Sequence, residues 1–348
     1  MKIIHTADLH IGSKFIKIKD DNKRKELIHT LSNSFIDIIE YAKSNNINYV
    51  LLSGDVFDSD TVIKKDKDFF YSIIKSNPNI NFYYIKGNHD FKSKYEDEIE
   101  NLHLFTNGIT KYYIKDQNVL IAGYELSENN KELYKMTPLT KDYYNILMLH
   151  GDISKKEGKD SIDIEKLKDK NINYLALGHI HKRMSSKFSL NGTYVYPGCL
   201  MPRGFDEEGE KGFEVLDTSN NSVNFIKTNK YEFKKMEINL KKFNNLYDLI
   251  SYLNTIPTNK NLLIQFIFTG VYNFDLNIEK ILSSITDKFY YVDIKVLAKE
   301  NALETEIIDE RSLKGMFIKL LKEDSSIDAT VKEDILKYGL SCIEKKEA

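Results

Sequence analysis

The chain has only two cysteines in 348 residues, Cys199 and Cys342. They are far apart and form no CxxC spacing, which excludes a disulfide framework or a thiolate zinc site and fits a reducing cytoplasm. An excess of one charge is also lacking: 50 basic and 52 acidic side chains leave a formal net charge of −2. Bulk electrostatics therefore offers no route to nucleic acid or a membrane, and any polyanion site must be local. The longest apolar runs, such as 49–52 and 262–268, fall far below the roughly 20 residues of a membrane helix and read as buried strands. The amino-terminal stretch, with Lys2 and Asp8 around a few apolar residues, is too short and polar for a secretory leader, so a cytoplasmic protein with no membrane partner is expected. Internal repeats and low-complexity segments are absent. With 41% apolar and 29% charged residues the chain has the composition of a folded globular protein, and its length predicts two or three domains.

The first half alternates β-branched and aromatic runs with amphipathic stretches, the pattern of α/β units. Residues 1–6, 47–53 and 80–85 read as strands. Helices are expected at 21–44, where Leu27, Leu31, Phe35, Ile38 and Ile39 recur at helical spacing, and at 65–76. From 119 to 227 short strands dominate, at 119–123, 146–149, 174–177, 194–196, 213–216 and 223–226, and the simplest expectation is a second, largely antiparallel sheet. A β-α-β-α-β pattern follows from 231 to about 300. Residues 312–347 predict two helices with apolar stripes, one of Leu313, Met316, Phe317, Leu320 and Leu321, the other of Ile335, Leu336, Leu340 and Ile343. The three segments read as domains at 1–228, 231–300 and 305–348.

Nearly all chemistry-bearing residues fall in five clusters: Asp8-Leu9-His10, Gly54-Asp55-Val56-Phe57-Asp58, Gly87-Asn88-His89-Asp90, His150-Gly151 and Gly178-His179-Ile180-His181. Five of the eight histidines lie in four of them. Clusters at carboxyl ends of strands converge in open α/β sheets. Imidazole, carboxylate and amide oxygen without thiolate suit Mn, Fe or Zn, and more than four such donors imply two ions. Residues i and i+2 at a strand end point the same way, so Asp8 with His10 and His179 with His181 can pinch one pocket. Asp55 between them can bridge ions about 3.5–4 Å apart, as in two-metal hydrolytic sites. Two divalent ions, two carboxylates and a bridging hydroxide leave a residual positive charge for a phosphate. His5, His29 and His103 stand outside the clusters and read as structural. Arg203 and Lys182 are candidates to meet a phosphate backbone.

Taken together, the five clusters in this order resemble the signature of the calcineurin-like metallophosphoesterases. HTADLHIG, GDVFD, GNHD and ALGHIHKR resemble the SbcD-type DNA-repair exonucleases, and the stretch 196–212 is similar to their YhaO-like branch. The resemblance spans roughly residues 1–228. It implies a four-layer α-β-β-α sandwich with a smaller α/β capping domain and a C-terminal helical segment. It implies two divalent ions, Mn foremost, one held by Asp8, His10, Asp55 and His181 and the other by Asp55, Asn88, His150 and His179. His150, in LHGD, is matched by its order in the chain, since SbcD proteins often carry a GH pair there. His89 resembles the family's catalytic histidine, with Asp90 orienting it. Asp58 stands where the archaeal and eukaryotic branch has a second histidine, and takes a supporting role, holding backbone N–H groups or His89. The implied partners are DNA, an SbcC-like SMC-type ATPase docked on the terminal helices, and a second copy of the chain as homodimer. The catalytic core alone is shared with phosphodiesterases and phosphatases acting on small nucleotides or phosphoproteins. A non-catalytic module of the same fold ranks last, because every ligand position is filled.

Overall fold

The computed structural model describes residues 1–58, 62–90, 99–105, 108–127, 130–156, 158–300 and 312–328, and in the last stretch 331–332, 334–336, 338–339 and 342. Leu340 and Ile343 of the expected second apolar stripe lie outside these. The chain divides into two compact units, 1–233 and 234–348.

The first unit opens with β1 (Lys2–Thr6), α1 (Asp21–Ser44), β2 (Tyr49–Ser53), α2 (Lys64–Lys75), β3 (Asn81–Ile85) and β4 (Leu102–Leu104). Asp20 caps α1 by accepting from the N–H groups of Asn22 and Lys23. It continues with β5 (Thr110–Ile114), β6 (Val119–Gly123), the short α3 (Lys131–Lys135), β7 (Tyr144–His150), β8 (Asp152–Ile153), β9 (Ser161–Ile162), β10 (Tyr174–Gly178), β11 (Met184–Lys187), β12 (Thr193–Tyr196), β13 (Gly212–Asp217) and β14 (Ser222–Lys227). Two six-stranded sheets result, in the orders β14-β13-β1-β2-β3-β4 and β11-β12-β10-β7-β6-β5.

The alternation of side chains along each strand explains the layers. Ile4, Val50, Leu52, Phe82 and Tyr84 face Phe35, Ile38, Phe70 and Ile74 of α1 and α2. Their neighbours Ile3, Leu51 and Tyr83 point the other way, onto Ile121, Ile146, Met148, Tyr174 and Ala176 of the second sheet. The far face of that sheet, Leu120, Leu147, Leu149, Leu175 and Leu177, is covered by Leu126, Leu133, Leu139, Ile162 and Leu167 from α3, 3₁₀ turns and loops. This is the sandwich of the expected fold class, with a fourth layer that is mostly irregular.

Two expectations are corrected. The second sheet is parallel across β12-β10-β7-β6 and antiparallel only at its edges. Parallel pairing needs crossovers of a dozen or more residues, and here these are made of loops, short strands, 3₁₀ turns and the five-residue α3 rather than the long helices that advertise a crossover in sequence. The β13-β14 hairpin also belongs to the first sheet, where β13 runs antiparallel to β1. Among the histidines, His103 lies on β4.

The second unit takes up the chain at β15 (Glu232–Asn239) and continues through α4 (Leu246–Thr255), β16 (Asn259–Thr269), β17 (Val271–Tyr272), α5 (Ile278–Ile285), β18 (Phe289–Val296), β19 (Lys299–Glu300) and α6 (Leu313–Glu323). The β15-β16-β18 sheet packs on Leu249, Leu253, Ile281 and Ile285 of its helices. The expected single stripe on α6 is split. Ile318 and Leu321 are buried with Leu336, and Phe317 packs beside them against Gly339, where a Cβ would meet the ring at 2.2 Å. Leu313, Met316 and Leu320 stay exposed at i, i+3 and i+7. Among the described residues no helix is long and apolar enough to cross a membrane.

Candidate metal centre

All five sequence clusters arrive at one end of the two sheets. Asp8 and His10 follow β1, Asp55 and Asp58 follow β2, Asn88, His89 and Asp90 follow β3, His150 ends β7, and His179 and His181 follow β10. The strand-end loops are tied to one another by Asp8 N–H to the Gly54 carbonyl (3.0 Å), His10 N–H to the Asp55 carbonyl (3.0 Å) and Ile11 N–H to the Val56 carbonyl (2.8 Å). The loops turn sharply enough that Asp8, His10, Asp55 and His179 all have positive φ, 53°, 47°, 51° and 95°. Glycine is required at Gly54, with φ +85°, because a Cβ there would lie 2.2 Å from His150 Nδ1.

Asp8, His10 and His181 form one compact donor group, and Asp55, His150 and His179 another. His10 Nε2 and His181 Nε2 face each other at 3.1 Å. The Nδ1 of His181 lies 2.7 Å from the Glu207 carboxylate, which fixes the N–H there and leaves a lone pair on Nε2. His10 Nδ1 is buried without a partner among the described residues. Asn88 Oδ1 is 3.1 Å from both His150 Nε2 and His179 Nδ1. His150 donates its Nδ1 hydrogen to the Ser53 carbonyl (2.8 Å), so its Nε2 also turns inward. Between the groups lies Asp55, whose Oδ2 is 3.3 Å from His150 Nε2 and 3.9 Å from His10 Nε2. Backbone N–H groups aim the carboxylates: His89 N–H binds Asp55 Oδ1 (2.8 Å), and His179 N–H binds both oxygens of Asp8 (3.0 and 3.1 Å).

The electrostatics are those of a site built for cations. Burial pushes the Asp8 carboxyl up to about 6, against the pull of His150 and His181. Burial lowers His10 and His179 below the ordinary imidazole range, leaving both as neutral donors. Burial acts against charge on His150 and Asp55 too, yet their mutual hydrogen bond and attraction win, raising His150 to about 9 and holding Asp55 below the usual carboxylate range. A divalent ion held by these side chains would compete with the proton that the pair shares. Converging lone pairs from four imidazoles, one amide oxygen and two aimed carboxylates fit divalent ions, with Asp8, His10, Asp55 and His181 on one side and Asp55, Asn88, His150 and His179 on the other.

The remaining candidates are placed differently from one another. His89 is one-third exposed at the mouth, its ring 5.0 Å from that of His10. The carboxylate near its Nδ1 is Asp58, at 3.8 Å. Asp90, expected to orient His89, is fully buried and accepts from the N–H groups of Val56 (3.2 Å), Phe57 (3.0 Å) and Gly87 (3.1 Å), stapling together the loops that carry Asp55 and Asn88. Position next to His89 in sequence says nothing of direction in a tight turn, where successive side chains diverge. Arg203 is turned inward, with Nη2 2.8 Å from Glu207 Oε1 and Nη1 3.8 Å from Asp58 Oδ2. It therefore joins the carboxylate behind His181 to the carboxylate beside His89, and Lys182 alone of the two basic candidates is exposed to solvent. Glu207 is the functional residue that sequence reasoning missed. It is held below the usual carboxylate range: burial opposes this, but the hydrogen bond from His181 and the charge of Arg203 outweigh it. His5, by contrast, is buried beside the Tyr174 hydroxyl (2.9 Å), away from the donor groups.

Comparison with known proteins agrees with this geometry. The chain is 28% identical over 254 residues to the uncharacterized metallophosphoesterase YhaO of Bacillus subtilis, covering 68% of this chain and 60% of the relative. It is 25% identical over 263 residues to the DNA double-strand break repair protein Mre11 of Methanocaldococcus jannaschii, covering 70% and 68%. It is 24% identical over 267 residues to an SbcCD nuclease subunit of Staphylococcus epidermidis, covering 64% and 67%. The chain thus spans less than two thirds of YhaO's length. The family model for calcineurin-like phosphoesterases matches residues 1–183, more than half the chain and all of the donor set, and the chain belongs to that family of divalent-metal hydrolases acting on phosphoesters.

Proposed function

We propose that this chain is a two-metal phosphodiesterase that hydrolyses DNA, the nuclease subunit of a complex with an SMC-type ATPase. The observation that carries the two-metal reading is Asp55, set between two imidazole groups with one oxygen within 4 Å of a histidine from each. When bound, the ions polarise a phosphoryl oxygen and lower the pKa of a water so that hydroxide forms near neutrality. Mixed nitrogen and oxygen donors favour Mn over the hydrated all-oxygen shell of Mg. The chain's own residues do the rest. Asp8 and Asp55 are aimed by backbone N–H groups, and Asp58 faces Nδ1 of His89, which leaves Nε2 to meet the phosphate or protonate the leaving oxygen. DNA as substrate is supported by relatives named as a break-repair protein and as a nuclease subunit. In this reading residues 1–228 are the nuclease domain, 231–300 a capping domain and 305–348 the docking segment. The exposed row Leu313, Met316 and Leu320 of α6 is the face for the ATPase, a helix face of the kind that lies in a partner's groove.

The test is hydrolysis of labelled single-stranded and duplex oligonucleotides, bis-nitrophenyl phosphate and cyclic nucleotides with Mn, Mg or chelator, for the wild-type chain and Asp55→Ala. Oligonucleotide cleavage is expected to be strongest with Mn and absent with chelator or in Asp55→Ala. Full activity in excess chelator ends the metal reading, and turnover of cyclic nucleotides alone ends the DNA reading. Leu313→Glu with Leu320→Glu should abolish co-purification with the ATPase while oligonucleotide cleavage persists. Retained co-purification would move the docking face elsewhere.

A further inference from the structure

The loop that follows β7, and so His150 at its end, forms a cleft of about 240 Å³ between α3 and the β8-β9 pair. Its lining carries Lys131, Lys155, Lys156 and Lys166 against a single carboxylate, Asp163. Four positive groups to one negative, on a chain whose net charge is −2, make this a concentrated local field. Among the described acidic neighbours in sequence, Glu165 pairs with Lys168 at 2.7 Å, and neither it nor Glu132 nor Asp160 is part of the lining.

The walls are fixed. Asn130 Nδ2 donates to the Lys159 carbonyl (3.0 Å), and the Tyr134 hydroxyl accepts from Asp163 N–H (2.9 Å). Asp152 N–H binds the Asp160 carbonyl at 2.7 Å, and that carbonyl packs so closely on Gly151 that a Cβ there would lie 2.3 Å away. The cleft therefore rests on the residue that follows the candidate ligand His150. Ser154 in the lining is four residues from His150, at most about 14 Å at full extension, which is a few nucleotides along a strand.

The chemistry selects backbone phosphate over bases. Lysines are point charges that bind phosphate without reading sequence. The aromatic ring in the cleft, Tyr134, is already covered by Lys166, whose ammonium is 5.1 Å from the ring centre and 3.0 Å from Asp163. Lys155 and Lys156 are exposed at the rim and make no ion pair among the described residues.

We infer that this cleft is a phosphodiester subsite: it holds the backbone of the nucleic-acid strand whose neighbouring phosphate occupies the metal centre. The inference rests on the nuclease reading above and adds where the strand runs. The test is a Lys155→Glu/Lys156→Glu pair in the full-length chain. Binding of a fluorescent single-stranded oligonucleotide is measured in a His89→Ala background, and hydrolysis in the otherwise wild-type chain. Oligonucleotide affinity should fall about 10- to 100-fold, and the slope of log K against log salt should be shallower by about 1.4, at about 0.7 per lost phosphate contact. The KM for oligonucleotide should rise while the KM for bis-nitrophenyl phosphate, the metal content and the melting temperature stay at wild-type values. Unchanged oligonucleotide affinity and salt slope overturn the inference. So does competition by inorganic phosphate or a mononucleotide as strong as that by the oligonucleotide, which marks a free-anion site. A wild-type chain that binds the oligonucleotide through these lysines but never cuts it sinks the nuclease reading instead.

Discussion

The two halves of the candidate metal centre each offer two imidazoles beside the shared Asp55 but are held from behind in different ways. His150 leans on a backbone carbonyl, that of Ser53, at the end of a central strand. His181 leans on a side chain, the carboxylate of Glu207, which is in turn gripped by Arg203. A carbonyl fixes the tautomer of a ligand at little electrostatic cost, whereas a carboxylate also raises the ligand's basicity and adds negative charge close to the ion. The His150 half is held by the backbone of the sheet. The support of the His10–His181 half runs instead through side chains, from Arg203 to Asp58 and so to His89 at the mouth. In the proposed mechanism the support of His181 and the placement of the His89 ring are thus linked through Arg203 and Asp58.

That asymmetry can be broken from either side. The largest effect is expected from Gly54→Ala, which puts a methyl group into the His150 ring at a left-handed backbone position. Metal analysis should find one ion per chain instead of two, with hydrolysis falling to near that of Asp55→Ala; two ions retained would show that the His150 half is less rigid than its contacts imply. His89→Ala should keep both ions and lose about 10²- to 10⁴-fold in turnover, the range for positioned acid or electrostatic help. An empty site in that variant would make His89 a ligand. The mildest effect is expected from Glu207→Gln, which leaves a hydrogen-bond acceptor for His181 but removes the charge. Titration should show about 10- to 100-fold weaker binding of one ion, the other unaffected. Equal weakening of both ions would erase the distinction between the halves.

The convergence of Asp, Asn and His at one end of the sheets was legible in the sequence because these residues concentrate at predicted strand ends. The supporting residues were not. Glu207 sits in a run of acidic residues, Asp206, Glu207 and Glu208, and nothing local distinguishes the one that turns inward from those that stay in water. Its task depends on the β13-β14 hairpin joining the first sheet, a long-range pairing that the local pattern of Phe213–Leu216 does not encode. Asp90 shows the same limit from the other direction, since its neighbour in sequence was visible and its backbone partners on two loops were not. In the sheets, alternation marked which residues were strands and which faces were apolar. It carried no information on direction, and loops and short elements in place of long crossover helices hid the parallel order of the second sheet. The α6 stripe was correctly apolar, but its division into a buried and an exposed side followed from Gly339 letting Phe317 approach.

The left-handed backbone at Asp8, His10, Asp55 and His179 bears on the protein's history as well as on its geometry. For residues with a Cβ such a conformation costs roughly 1–2 kcal/mol each, so the four together are comparable to a sizeable fraction of a domain's net stability. Occupied metal sites offset part of this, since a ligand present at about 100 times its Kd stabilises the folded form by about 2.7 kcal/mol. Glycine at any of the four would relax the backbone at once and delete a ligand at the same stroke. Stability and chemistry therefore pull in opposite directions at these positions. A lineage released from the need to hold ions would be expected to drift toward glycine there first; this chain carries Asp or His at all four.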